Sequence, residues 1–231
     1  VSRLKNKRQL ITLTNPKSPI SESYRSLRTN IEFASVDEPL QVIMVTSAGP
    51  GEGKSTTISN IAITYAQTDK KIILIDADLR KPTAHHTFSV SNRWGLSSVL
   101  SKQCELEEAI QKTNVPNLDL LTAGVIPPNP AEMLGSKRMS ELIAQLKETY
   151  DIVLIDTPPL LAVTDAQIVS TKSDGAILVV DQGRVKRDIA KKAVQNLRTV
   201  NARILGVVLN NVKRKASEEA YYYYYGAQDN E

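Results

Sequence analysis

Short runs of aliphatic and β-branched residues alternate along the chain with longer stretches whose apolar positions recur every three or four residues. The runs at 42–46, 72–76, 118–121, 152–156, 175–181 and 204–209 read as strands. Between them, 54–67, 136–149 and about 186–200 read as helices, with a further helical stretch near 105–112. In the 136–149 segment, Met139, Leu142, Ile143 and Leu146 fall on one face. Strands that are apolar throughout have both faces covered, which predicts a parallel sheet. Strand–helix alternation then predicts an α/β fold: a doubly wound, mostly parallel sheet with helices on both faces. Three regions follow. Residues 1–40 form an arm and a helix from about 21 to 34, 41–211 form the core domain, and 212–231 form a polar tail without periodicity.

Composition narrows the class. A chain of 231 residues, 41% of them apolar, has enough material for one large domain and is not disordered as a whole. With 29 basic and 25 acidic residues, the charge of +4 excludes a highly basic nucleic-acid packaging protein. The single cysteine, Cys104, cannot make an intrachain disulfide, and a reducing cytosol is the simplest setting. No stretch approaches the roughly 20 apolar residues of a membrane helix. Residues 1–10 carry Arg3, Lys5, Lys7 and Arg8 without the apolar core of a signal peptide. His85 and His86 have no other ligand-spaced His or Cys around them, so no zinc site is read. Tyrosine is distributed unevenly: five of the eight are consecutive, Tyr221, Tyr222, Tyr223, Tyr224 and Tyr225. Tyr24, Tyr65 and Tyr150 fall in structured segments and read as structural.

Glycine is uneven too, and here the chemistry begins. Gly49, Gly51 and Gly53 lie between the first core strand and its helix, followed by Lys54, Ser55 and Thr56. Glycines let backbone N–H groups wrap phosphate oxygens, and the helix N-terminus adds its partial positive charge. Lys54 supplies a point charge for the β- and γ-phosphates, and Ser55 a hydroxyl for Mg²⁺. Ala48 stands where the motif has its first glycine. Two later strands end in carboxylates, Asp76-Ala77-Asp78 and Asp156. Carboxyl ends of parallel strands face the ligand crevice. One Asp there could cap a helix, but three beside a phosphate loop predict a Mg²⁺–nucleotide site, some of them acting through water. Asn210 or Asn211 could contact the base or cap a turn. Arg80 and Lys81 could reach phosphate or a neighbouring subunit.

The combination resembles the bacterial tyrosine kinases (BY-kinases), the cytoplasmic kinases of capsule and exopolysaccharide operons in Gram-positive bacteria. The resemblance rests on the Walker A loop Gly51-Glu52-Gly53-Lys54-Ser55, the second Walker motif at 73–80 and the Walker B strand ending Asp156-Thr157-Pro158-Pro159. The segment Pro127-Pro128-Asn129-Pro130 and the terminal tyrosines add to it. It implies a protein-tyrosine kinase using ATP and Mg²⁺. Catalytic residues would be Asp76, Lys54, Asp78 and Asp156, with Asp76 as the general base. Gly49, Gly51, Glu52, Gly53, Lys54, Ser55, Thr56 and Asn210 would bind nucleotide, and Ser55, Asp78 and Asp156 would hold the metal. The tyrosines at 221–225 would be autophosphorylated. The family's Glu-x-x-Arg-x-x-Arg motif is here Glu22, Arg25 and Arg28. On spacing alone it reads as a solvated helix face with a Glu22–Arg25 pair. The resemblance implies instead a head-to-tail homo-oligomeric ring, in which one subunit's tail enters its neighbour's site. It also implies a membrane-anchored activator that holds the kinase at the inner face of the membrane. A tyrosine phosphatase and polysaccharide-synthesis enzymes are expected partners, and nucleic acid is not. The competing readings are a MinD/ParA-type ATPase, whose additional loop lysine is replaced here by Gly49, and a nucleotide-binding regulator without kinase activity.

Overall fold

The computed structural model describes residues 10–34 and 40–213. Seven strands form one sheet: β1 (Val42–Ser47), β2 (Ile72–Asp76), β3 (Ile110–Lys112), β4 (Leu118–Leu121), β5 (Ile152–Asp156), β6 (Gly175–Asp181) and β7 (Ile204–Asn210). Their order is β3-β4-β2-β5-β1-β6-β7. Every pairing is parallel except that of β3 with β4. The helices are α1 (Ile11–Thr14), α2 (Pro19–Phe33), α3 (Lys54–Ala66), α4 (Ala84–Phe88), α5 (Leu96–Leu100), α6 (Leu106–Ala109), α7 (Pro130–Gly135), α8 (Lys137–Thr149), α9 (Asp165–Ser170) and α10 (Arg187–Thr199).

The period of two along each strand splits the core into two layers. On one face Val42 and Met44 pack with residues of α7, α8, α9 and α10. On the other, Ile43 and Val45 pack with α3. Each fully buried Ile, Leu or Met contributes about 1.5–3 kcal/mol, so the two layers anchor the strand ends that carry the site.

Four features differ from the sequence reading. The helix expected from 21 begins at Pro19, because Ser18 accepts the N–H of Ser21 and proline's fixed φ suits the first helical position. Part of the expected arm is folded: α1 packs on α3, with Thr12 N–H and Oγ1 donating to Asn60 Oδ1 at 3.1 and 2.8 Å. The stretch at 105–112 is a single helix only as far as Ala109. Beyond it Ile110–Lys112 turns into a strand, and Lys112, in register with Asp119, pairs with it at 2.8 Å. At the other edge, Val207 and Leu209 of β7 are 49% and 56% exposed, so this strand is not covered on both faces. Among the described residues no helix is long and apolar enough to cross a membrane.

Candidate active site

β1 delivers the chain to the phosphate loop. Gly51 and Gly53 take left-handed φ values of +78° and +93°, where a side chain is strained. Gly53 also lies against Asn210: a Cβ there would come within 2.1 Å of Asn210 Nδ2. Asn210, at the end of β7, donates to the Glu52 carbonyl at 3.0 Å. Glu52 folds back on the loop, and its Oε1 accepts the N–H of Gly49. Burial raises the Glu52 carboxyl above its usual range, against the opposing hydrogen bonds of the Gly49, Asp181 and Ala48 main chain. The nearby Asp181 charge pushes the same way as burial. Glu52 thus ties the loop to itself, a role that its place inside a phosphate motif conceals in the sequence.

Lys54 opens α3 and lies at the convergence of three oxygens. Its Nζ is 3.0 Å from Ser55 Oγ, 3.2 Å from Asp78 Oδ2 and 3.3 Å from Asp156 Oδ1. Burial works against its charge, but Asp156, Asp78 and Asp76 outweigh that and hold the ammonium above its ordinary range. Asp76 stands directly across from Asp156 in the β2–β5 register. Burial, and then the Asp156 charge, push its carboxyl up to about 7, against the Ala84 and Thr83 N–H groups and Lys54. Its Oδ2 accepts those two N–H groups at 2.9 Å each, and its Oδ1 accepts the Asp78 N–H at 3.2 Å. Asp76 is therefore wholly buried and, in this conformation, braces the loop from Asp78 to Ala84. Arg80 in that loop makes a two-pronged contact with Asp165, 2.9 Å on each arm, and Asp165 is fully buried at the first turn of α9. Neither reading of Arg80 foresaw this. Asp165 is a lone Asp at a helix start, and in the sequence it is indistinguishable from a cap.

The cleft so formed has a volume of about 410 Å³ and is lined by Gly51, Gly53, Lys54, Ser55, Thr56, Asp78, Lys81, Thr83 and Pro159. Most expected binding residues meet there. Gly49 has its N–H taken by Glu52, and Asn210 lines a separate groove between β7 and α2. Asp78 and Asp156 share the Lys54 ammonium, with Asp76 beside Asp156, and Lys81 adds a second cation to the lining. The hard oxygens of Ser55, Asp78 and Asp156 fit a magnesium ion that takes its other ligands from phosphate and water. The helix motif divides. Glu22 and Arg25 pair at 2.7 Å on the surface, whereas Arg28 turns onto α3 and donates to the Thr64 carbonyl at 2.6 Å. Tyr65 and Tyr150 are buried. Tyr221–Tyr225 lie outside the described residues.

A phosphate loop and strand-end aspartates at the carboxyl edge of a mostly parallel sheet define the P-loop nucleotide-binding class. The chain matches the AAA domain family over residues 40–208. It is 51% identical to the tyrosine-protein kinase YwqD of Bacillus subtilis, over 96% of this chain and 93% of that protein. It is 40% identical to the putative tyrosine-protein kinase CapB of Staphylococcus aureus, over 84% and 86%. The kinase domain of the Escherichia coli tyrosine kinase ETK superposes with a TM-score of 0.87 at 37% identity, covering 94% of this chain and 85% of that one. The chain belongs to the bacterial tyrosine-protein kinases.

Proposed function

We propose that the chain transfers the γ-phosphoryl group of ATP to the tyrosines at 221–225 of a neighbouring subunit in a ring. The observation that carries this reading is the convergence of Lys54, Ser55, Asp78 and Asp156 beside Asp76. Phosphoryl transfer needs positioning and charge neutralisation more than covalent chemistry, and this cluster supplies both. Magnesium held through Ser55, Asp78 and Asp156 would neutralise phosphate charge. The loop N–H groups and Lys54 orient the phosphates. A phenol ionises near pH 10, so it needs a base. Asp76 takes the phenolic proton as the phenol oxygen bonds to the γ-phosphorus, the bond to the bridging oxygen breaks and ADP leaves. To do so, Asp76 Oδ2 must be released by the Thr83 and Ala84 N–H groups. The exposed Glu22–Arg25 pair, its arginine also held by the Pro16 carbonyl at 2.8 Å, meets a neighbour in the ring, with Arg28 fixing the helix that presents it.

The setting follows from the same family. We place the kinase in the cytoplasm, held at the membrane by an anchored activator. There it regulates capsular or exopolysaccharide synthesis, with a phosphatase reversing its action. The test is direct. Purified protein with labelled ATP and magnesium should accumulate phosphotyrosine in the tail by mass spectrometry. Chelation should abolish it, and Asp76→Ala should bind Mg·ATP yet lose transfer by at least a hundredfold. Retained transfer in the folded variant would refute the role of Asp76, and label without phosphotyrosine would refute the kinase reading.

A further inference from the structure

Beyond β4, at the same carboxyl edge as the site, two loops are locked together and expose apolar side chains. The Leu96 N–H donates to the Thr122 carbonyl at 2.7 Å, and Ser97 N–H to the Ala123 carbonyl at 2.9 Å. Asn92 makes two bonds to the Gly124 main chain, at 2.8 and 3.0 Å, and Ser97 Oγ donates to the Val125 carbonyl at 2.7 Å. Gly95 lies so close that a Cβ would come within 2.3 Å of the Thr122 carbonyl oxygen. On this fixed backbone Val125 is 67% exposed, Ile126 59% and Trp94 38%. The Arg93 guanidinium lies over the Trp94 ring, 5.4 Å from its centre. Single exposed apolar residues are ordinary. Trp94 and Val125 stand on main chain held by hydrogen bonds, with Ile126 directly following, and together they form a prepared surface.

Its place in the fold points to its occupant. Leu121 is in register with Ile75, the residue before Asp76, so the surface begins four residues past the strand beside the one that ends in Asp76. The chain's own unplaced aromatic material is Tyr221–Tyr225, preceded directly by Glu218-Glu219-Ala220. Aromatic rings suit the apolar shelf, and the acidic pair suits the exposed cation Arg93 beside Trp94. We propose that Trp94, Val125 and Ile126 form a docking shelf for the tyrosine run of a second copy of the chain, an inference that rests on reading that run as the substrate. A second copy is favoured by reach. β7, from which the chain leaves the sheet, lies five strand intervals from β4, about 24 Å through the sheet. From Asn210, where β7 ends, eleven residues to Tyr221 span about 38 Å at full stretch. That leaves about 14 Å for the detour round the rim, so a chain seats its own run only with the linker drawn taut, at a cost in conformational entropy that a neighbour's tail avoids.

Binding and transfer can be tested separately. Trp94 is the chain's single tryptophan, so its fluorescence reports on the shelf. A synthetic peptide of residues 214–231 is titrated into full-length protein whose own five tail tyrosines are changed to serine. A saturable Trp94 signal is expected, weakened at least tenfold by Val125→Asp with Ile126→Asp. No saturable binding, or binding unchanged by the double variant, would overturn the proposal whether or not the protein is a kinase. If the aspartates unfold the chain, Ile126→Ala, with folding checked by circular dichroism, should weaken binding about threefold, and an unchanged affinity overturns the proposal.

For transfer, a chain with its tail tyrosines changed to phenylalanine phosphorylates a Lys54→Ala partner with an intact tail. Shelf substitutions on the kinase chain should raise KM for the partner about tenfold with kcat within twofold. The same substitutions on the partner should do nothing. An effect from the partner's side, or dissociation of the oligomer with peptide binding intact, would make this an assembly surface instead and sink the shelf. A wild type that labels itself but never the partner would refute the second copy.

Discussion

At the scale of single residues, the site is built from charges that burial makes expensive. Asp76 is the clearest case. In the unfolded chain its carboxyl titrates at the ordinary value of 3.8, and in the fold it is pushed up to about 7 by burial and then by Asp156. A raised acid binds its proton more tightly in the folded state. Its stabilising contribution is therefore complete below the unfolded value and is lost as pH rises through about 7. In metal-chelated protein the melting temperature should fall between pH 5 and pH 8. An Asp76→Asn variant should show little of that fall and at pH 8 should match or exceed the wild type. A parallel slope in both proteins, read by calorimetry, would assign the pH effect elsewhere. Gly53 shows the opposite economy, a residue chosen for what it lacks. Both its left-handed φ and the approach of Asn210 forbid a Cβ.

At the scale of elements, β3 shows what periodicity cannot convey. Nothing in 105–112 marks the change from helix to strand after Ala109, because the cause lies elsewhere in the chain. Asp119 on β4 is nearly buried, and it accepts from Lys112 at 2.8 Å and from the Tyr150 hydroxyl at 2.7 Å. Burial and then Asp119 raise the Tyr150 phenol well above its normal range, as expected for a structural tyrosine and not a nucleophile. Tyr150→Phe leaves Asp119 with the highly exposed Lys112 as its remaining side-chain partner. It should cost about 1–2 kcal/mol, or a few degrees in melting temperature, with kinase activity at low temperature unchanged. An unaltered melting temperature would show that the bond contributes nothing. The long core strands were legible because a buried parallel strand is written in its own residues. So was the phosphate loop, whose glycines, lysine and serine are contiguous. α4, α5, α7 and α9, at five or six residues each, are too short to show a period. The Arg80–Asp165 contact joins residues 85 apart, and no local pattern encodes it.

At the scale of the whole molecule, the parallel sheet gathers the ends of β1, β2 and β5 at one edge, so motifs separated by about a hundred residues become neighbours. The family resemblance rests on those motifs and is upheld by the relatives and by the fold. The sheet itself acts as a ruler. The chain departs from β7, while the acceptor shelf follows β4, and the strands between them hold the two apart. A molecule whose tail leaves one flank of the sheet while its shelf lies on the other is poorly placed to seat its own tail, and this sets the kinetic order. Initial phosphorylation per molecule should slow in proportion to dilution once subunits separate, and it should recover when an inactive, tail-bearing partner is replaced by an active one. A rate independent of concentration down to nanomolar protein would mean that the sheet is no barrier and that the tail finds its own site.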